Sequence, residues 1–534
     1  MAVWCGISGR RDFRDAAAWP APVIPRRARP LRNRPVPAGE VPRQQAEGAL
    51  LLGVIDQGCP FAHPMLRRAG AMSTRVLAIW DQDPDQPAFT RVGGRQPAQG
   101  EGCVITRPDL DLLLPGGEDL AYAQADDDAM RWRYGHGSAV LGLMAGSLPL
   151  RPGEPAPDDE ASRADVVFVQ LARDLIQDSS SAALEPALSS GIEFILAHAG
   201  PDTRRIVINI SNGTSRGAHD GCSAFDQRVA ELVERERQLG RELLVVLPIG
   251  NSRQERRHAM LAPRVDELAS QVLHLPPASE TASFLTVKMP APPDRVRLRL
   301  VPPAVHAQAE EAWVCPGEVA AWHHGPAGTA VAALLWPAGE AGDTALVVLA
   351  PTMDHQGNSA VAPHGFWRLE AQLTQAAGEP CLLHVWISRN ARNGTALPRA
   401  VQARFVDPLQ AHDPDRHLRW ARLDPPPRPG AKPPLAVIRR ASTLNALAAG
   451  NAVHVAGGRF RRSTEVAPYS ALGPSLGQPA LEWLDDALFA TDEDWSLRGI
   501  LARGNRTGEL VRVTGTSFAA PQLARRLANE RGQP

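Results

Sequence analysis

The sequence predicts an α/β fold in which helices flank a parallel sheet, together with a region of antiparallel β-structure. Four apolar runs have strand length and no polar alternation: ALLLGVI (49–55), ADVVFVQL (164–171), RIVINI (205–210) and ELLVVLP (242–248). Strands that are apolar throughout are typical of a parallel sheet covered on both faces. A helical pattern separates the last two runs, and alternating strands follow beyond Pro276.

The helical pattern covers residues 223–240. Ser223 and Asp226 form a capping-box-like start, and Gly240 is a natural end. One face is apolar, at Val229, Leu232 and Val233. Strand, helix and strand at this spacing make a βαβ unit, which supports the α/β class.

The pattern after Pro276 indicates antiparallel strands, because VRLRLV (296–301) alternates strictly. WRLEAQL (367–373) places alternate side chains on one face: Trp367, Leu369, Ala371 and Leu373. TALVVLA (344–350) and LLHVWIS (382–388) are further strand candidates, and the region ends at the proline run 424–434. We therefore predict four parts: a Pro/Arg-rich N-terminal extension (1–47), an α/β domain in two pieces (48–275 and 436–534) and an inserted antiparallel β-sandwich domain (276–435).

Composition excludes some classes of function. The formal net charge of the 534 residues is −1, so no charge excess indicates nucleic acid or a membrane surface as a partner. The first residues carry charge where a signal peptide has its apolar core, and no run approaches a membrane span. The six cysteines show no CxxC pair, which favours free thiols. We expect a cytoplasmic protein.

Three polar residues follow or open core elements. Asp56 ends a buried strand in GVIDQG, His136 lies between glycines in YGHGSAVLGLMAG, and Ser517 lies in VTGTSFAAP. Each alone is commonplace, as a turn former, a core histidine or a helix cap. Together they supply a nucleophile, a base to activate it and a carboxylate to orient that base. Their order, Asp, His, Ser, differs from that of chymotrypsin-like enzymes and of α/β-hydrolases.

These segments are similar to the three signature blocks of the subtilisin family. NISNG (209–213) resembles the family's strand whose Ser-x-Gly backbone pairs with the substrate, and PIGN (248–251) resembles the block that ends in the oxyanion asparagine. Past the predicted insert, NAVHVAGG (451–458) and VAPYSALGP (466–474) resemble the strand and turn before the serine block. The resemblance covers about 48–275 and 436–530. His136 and Asn251 exclude the sedolisin branch, which uses Glu and Asp at these places.

The resemblance implies a subtilisin-type serine endopeptidase that needs no cofactor and no catalytic metal. It assigns catalysis to Asp56, His136 and Ser517, and the oxyanion hole to Asn251. Substrate binding is assigned to Ser211, Asn212 and Gly213. The substrate would be a specific protein or peptide. The alternative is a pseudoprotease-like binding or regulatory module that holds a partner on the inserted domain.

Other residues receive structural interpretations. Asp126, Asp127 and Asp128 predict a solvated turn in preference to a divalent-ion site. Cys59 is interpreted as a small buried hydrophobe. The pair 219–220, His-Asp, indicates either a specificity pocket or a turn.

Overall fold

The computed structural model describes residues 11–12, 44–85, 87–97, 100–151, 153–177, 181, 183–289, 293–303, 312–324, 329–338, 342–354, 360–375, 381–390, 401–406, 434–460, 466–473, 488–491 and 499–530. Most of the predicted extension 1–47 and nearly all of the proline run 424–434 lie outside the described residues.

The described strands, in chain order, are β1 Arg11–Asp12, β2 Leu50–Asp56, β3 Val76–Asp81, β4 Cys103–Thr106, β5 Asp165–Gln170, β6 Arg205–Ile210, β7 Glu242–Pro248, β8 His258–Leu261, β9 Ala269–Leu275, β10 Ser283–Lys288, β11 Val296–Val301, β12 Glu318–His324, β13 Thr329–Leu335, β14 Thr344–Leu349, β15 Gly365–Leu373, β16 Leu383–Ile387, β17 Arg404–Val406, β18 Ala436–Arg439, β19 His454–Phe460, β20 Leu488–Thr491, β21 Ile500–Arg503 and β22 Leu510–Val513. The described α-helices are α1 Arg107–Leu113, α2 Gly117–Ala125, α3 His136–Ala145, α4 Glu160–Arg163, α5 Arg173–Gln177, α6 Leu184–Leu196, α7 Ala224–Gln238 and α8 Thr516–Asn529. Short 3₁₀ helices cover Pro64–Leu66, Leu114–Gly116, Asp128–Arg131, Pro293–Arg295 and Ala446–Ala448.

An eight-stranded sheet with the order β20-β19-β7-β6-β2-β5-β3-β4 forms the centre of the α/β region. Its neighbouring strands are parallel except β3 and β4, which are antiparallel. Strand β2 shows why an unbroken apolar run suits this position. Leu52 and Val54 pack in a core with residues of α3 and α8, whereas Leu51 and Ile55 pack with residues of α6 and α7. The predicted α/β class is confirmed, and the four apolar runs are β2, β5, β6 and β7.

The predicted helix between β6 and β7 is confirmed as α7. The Ser223 hydroxyl accepts a hydrogen bond from the Asp226 N–H, and the Asp226 carboxylate accepts from the Ser223 N–H, which completes the capping box. Gly240 has φ of +74°, a left-handed conformation that costs glycine little and allows the chain to turn into β7.

Apart from β1, the strands of two antiparallel sheets follow β7 in the chain, and the two sheets share one hydrophobic core. Their orders are β1-β12-β13-β14-β10-β16-β8-β18 and β11-β15-β9-β17. The alternating face predicted for 367–373 is confirmed in β15, where all four apolar side chains are buried. Strands β8, β9 and β18 join these sheets although they lie outside 276–435. That 276–435 is an independently folded insert stays a prediction.

Cysteine chemistry and membrane insertion can be checked directly in the described residues. Cys59, Cys103, Cys222, Cys315 and Cys381 are free thiols. No described helix is both long enough and apolar enough to cross a membrane.

Candidate active site

Three adjacent parallel strands end at one edge of the central sheet, in the order β7, β6, β2. Asp56 is the last residue of β2, Ser211 directly follows β6, and Asn251 lies three residues past β7. Carboxyl ends of parallel strands form a crevice where α/β proteins place their sites. The strand order therefore brings these side chains, far apart in the chain, to a common edge.

Asp56 and His136 form a direct pair at this edge. His136 Nδ1 lies 2.7 Å from Asp56 Oδ1 and 2.9 Å from Oδ2, and the Gln57 N–H donates to Oδ1 at 2.7 Å. A carboxylate at neutral pH only accepts, so Nδ1 carries the proton of the imidazole and Nε2 is left as the basic nitrogen. The Asp56 side chain is 2% exposed and that of His136 34%, so the pair is anchored inside while part of the ring stays open.

Two opposed effects act on the pKa of His136, and their net result is a pKa above its ordinary value. Burial lowers it, because a charged imidazolium loses solvation. The negative charge of Asp56 and its hydrogen bond to the ring raise it, and together they outweigh burial. The pair thus stabilises a proton on His136, as a base must during proton transfer.

Ser517 is the second residue of α8, and its backbone is bound by Ser211, which follows β6. The Ser211 hydroxyl donates to the Ser517 carbonyl oxygen at 2.7 Å, and Asn209 Nδ2 donates to that same hydroxyl at 2.9 Å. The Phe518 ring packs 5.0 Å from the His136 ring, which brings the start of α8 beside the imidazole. Among the described residues, no hydrogen bond joins the Ser517 hydroxyl to His136. Such bonds often tighten only when substrate binds.

Asn251 is tied to the serine segment through Thr516, a contact that the sequence motifs alone did not indicate. Asn251 Oδ1 accepts from the Thr516 N–H at 2.9 Å and from the Thr516 hydroxyl at 3.0 Å. The same hydroxyl accepts from the Gly250 N–H at 3.1 Å. With its oxygen occupied, the amide points its donor group, Nδ2, toward Gly515, where an added Cβ would lie 3.3 Å away.

The segment 211–213 is fixed by Asn445, a second residue that sequence reasoning missed. Asn445 Oδ1 accepts from the Thr214 N–H at 3.0 Å, and Nδ2 donates to the Pro248 and Asn212 carbonyl oxygens at 3.1 and 3.4 Å. One buried amide thus joins the end of β6 to the end of β7. No motif marks Asn445, since its partners come together only in the fold.

Asn445 also explains the glycine at 213. A Cβ placed on Gly213 would lie 2.2 Å from Asn445 Nδ2, closer than any real contact. Gly213 is exposed on its other side, so its backbone is open to a bound chain. Close approach to the amide therefore requires glycine here.

Asn445→Ala is expected to lower the free energy of unfolding by about 2–4 kcal/mol, because the Thr214 N–H and the Pro248 oxygen would be buried without partners. Thermal denaturation measures the loss. Asn445→Asp keeps the acceptor for Thr214 and should lose less stability. Unchanged stability of the Asn445→Ala protein would contradict the role of this amide in joining the ends of β6 and β7.

The interpretation of 126–128 as a solvated turn is wrong for Asp127, a buried residue that is 3% exposed. Asp127 caps the 3₁₀ helix that follows, accepting from the Ala129 N–H at 2.8 Å, so its carboxylate turns inward. There Gln170 Nε2 lies 3.4 Å from Asp127 and 3.0 Å from Asp81. Burial raises the pKa of Asp81 to about 7 and that of Asp127 to about 6. Both acids thus contact Gln170, the last residue of β5, which is the strand beside β2.

The remaining structural interpretations concern Cys59 and metal sites. Cys59 is fully buried, as predicted. Within the described part of the chain, no three His, Cys, Asp or Glu side chains are grouped so as to hold a metal ion.

The fold has a counterpart among solved structures. The structure of the Clostridium perfringens CspB protease matches with a TM-score of 0.61 and 15% sequence identity, over 90% of this chain and 81% of that one. The chain has the fold of that protease. No family model matches the chain, and no curated protein matches it in sequence. At this identity the likeness shows the fold, and the chemistry must be argued from the residues at the strand edge.

Proposed function

We propose that this chain is a serine endopeptidase of the subtilisin type. The observation that carries the proposal is the Asp56–His136 pair, 2.7 Å between oxygen and Nδ1, at the strand edge where α8 delivers Ser517 and β7 delivers Asn251. A buried carboxylate that fixes one histidine tautomer has a clear use where that histidine must accept a proton from a nucleophile.

In the proposed mechanism Ser517 Oγ attacks the carbonyl carbon of the scissile peptide bond, and its proton passes to Nε2 of His136. Asp56 stabilises the imidazolium that results. The oxyanion of the tetrahedral intermediate accepts hydrogen bonds from Asn251 Nδ2 and from the Ser517 N–H. The C–N bond then breaks, His136 protonates the leaving amine, and an acyl-enzyme remains on Ser517. Water, deprotonated by His136, hydrolyses that ester and restores the free serine.

The substrate chain would bind in extended form along Ser211, Asn212 and Gly213. Strand addition gives affinity through backbone hydrogen bonds and needs an open edge. The exposed Gly213 backbone offers such an edge. We infer that the substrate is a specific protein or peptide.

A fluorophosphonate probe tests the proposal, because it reacts with an activated serine. The purified protein should be labelled, and mass spectrometry of the digested adduct should place the label on Ser517. Label on another serine would refute the assignment. Absence of label in a folded protein would favour the alternative, a binding module that keeps the fold without the reaction.

Asn251→Ala is expected to lower kcat by about 10²–10³-fold, the scale known for the equivalent subtilisin donor, with little change in KM. The reason is that Nδ2 engages a charge that exists only in the transition state. Steady-state kinetics on a peptide separate the two constants. Thr516→Val, which removes one of the two hydrogen bonds to Asn251 Oδ1 and leaves the backbone N–H bond, should also lower kcat, by a smaller factor, and Thr516→Ser should restore it. An effect confined to KM would contradict the oxyanion role.

A further inference from the structure

A cleft of about 430 Å³ lies beside the loop that continues the chain from Gly213. Its walls include residues 216–223 of that loop and the first turn of α6, and Lys288 and Asp343 of the antiparallel region complete them. Arg216 lies three positions past Gly213 in the chain, which is at most about 10 Å of extended backbone. A long side chain of a peptide bound along 211–213 is therefore within reach of the cleft.

The cleft carries an excess of negative charge. Four carboxylates line it, on Glu185, Asp220, Asp226 and Asp343, against two cations, on Arg216 and Lys288. Lys288 Nζ lies 2.7 Å from Asp220 and 2.5 Å from Asp343, so this cation is already neutralised. The Arg216 guanidinium lies 5.4 Å from the Phe284 ring centre. Two negative charges remain in excess.

The pKa values of Glu185 and Asp226 are raised in this cleft. Burial raises the pKa of both groups. The negative charge of Asp226 raises the pKa of Glu185 further, and that of Asp220 does the same for Asp226. Like charges gathered in a partly buried wall repel each other, and a bound cation would relieve the repulsion.

His219 gives a second, independent indication of the ligand. Its Nε2 lies 3.1 Å from the Ser215 carbonyl oxygen, which can only accept, so Nε2 carries the proton. Nδ1 is therefore a bare acceptor, and it is buried without a hydrogen-bond partner. The ring stacks 4.3 Å from Trp386, and burial lowers the pKa of His219 to about 4, so the ring stays neutral. Nδ1 of His219 is thus a buried acceptor without a donor, and a ligand that carries an N–H or O–H group could supply one.

The two observations require the same ligand chemistry. Excess carboxylates favour a positive charge, and the bare Nδ1 favours a hydrogen-bond donor. Ammonium and guanidinium groups satisfy both, whereas an anion or an apolar side chain satisfies neither. We propose that this cleft is a specificity site that selects an arginine or lysine side chain of the peptide bound along 211–213. The proposal rests on the proposed peptidase function.

Paired peptides test it, each carrying either arginine or its neutral analogue citrulline at one position of an otherwise fixed sequence. At one position the wild-type protein should prefer arginine by roughly 10- to 100-fold in kcat/KM, the range for a hydrogen bond to a charged group. Glu185→Gln should reduce that ratio by about tenfold. His219→Phe, which keeps the stack on Trp386 and removes the acceptor, should lower kcat/KM for both peptides, because the ureido group of citrulline also carries N–H donors. Glu231→Gln, a matched change on the exposed face of α7, should leave the ratio unchanged.

Equal turnover of both peptides at every position would overturn the proposal, as would an arginine preference that survives in Glu185→Gln or a kcat/KM that His219→Phe leaves unchanged for both peptides. Failure of the peptidase function is a separate outcome, since it appears as no hydrolysis and no probe label. In that case fluorescence anisotropy with the Ser517→Ala protein measures binding of the same peptides. Tighter binding of the arginine peptide would support the cleft, and equal binding would refute it.

Discussion

Ser517→Ala is expected to lower kcat for peptide hydrolysis by about 10⁶-fold, the scale that loss of the serine has in subtilisin. The hydroxyl is the atom that forms the acyl-enzyme, so no residual pathway through His136 can replace it. The fold should be intact, because the Ser517 carbonyl that accepts from Ser211 belongs to the backbone.

Kinetics with a fluorogenic peptide and probe labelling measure the loss. His136→Ala should cost about as much as Ser517→Ala, and the double variant should be no worse than either one, because the two residues act as one unit. Ser190→Ala, at an exposed position of α6, is the matched control and should keep full activity. Additive losses in the double variant, or activity that survives in Ser517→Ala, would contradict the mechanism.

Local sequence pattern was sufficient to predict strand β2, which carries Asp56, and helix α7. An unbroken apolar run up to Ile55 predicts a buried strand, and the strand ends one residue later, at Asp56. The capping box at Ser223 and the glycine at 240 predicted both ends of α7 to within two residues. Periodicity and capping depend on neighbours in the chain, so the sequence displays them directly.

Contacts between distant segments were not predictable in the same way. Asn445 binds backbone atoms of residues 212, 214 and 248, and nothing near it in the chain indicates those partners. Asp127 looks like part of an acidic surface turn, yet it caps a helix that directs it inward toward Gln170. Strands β8, β9 and β18 of the antiparallel sheets were not predicted, for a related reason. Strands such as β8 are short and join their sheet only through partners more than a hundred residues away.

Asp56→Asn is expected to lower kcat by about 10⁴-fold, as the equivalent change does in a serine protease with the same triad. The carboxylate accepts from Nδ1 and so keeps Nε2 free to take the serine proton. An asparagine can turn its NH₂ group toward the ring, which favours the tautomer with the proton on Nε2. That tautomer cannot act as the base, although Ser517 and Asn251 are unchanged.

The same variant changes the pH dependence, and the sign follows from the pKa of His136. In the wild type that pKa is raised, because Asp56 outweighs burial. The reactive form is the neutral ring, so kcat/KM should rise with pH through a pKa above the ordinary value of about 6.5. In Asp56→Asn the stabilising charge is lost while burial remains, so the residual activity should rise at a lower pH than in the wild type. Profiles of kcat/KM from acid to alkaline pH measure this rise in the wild type and in the variant. An acid limb at the same pH in the two proteins would mean that the titrating base is not the histidine that Asp56 holds.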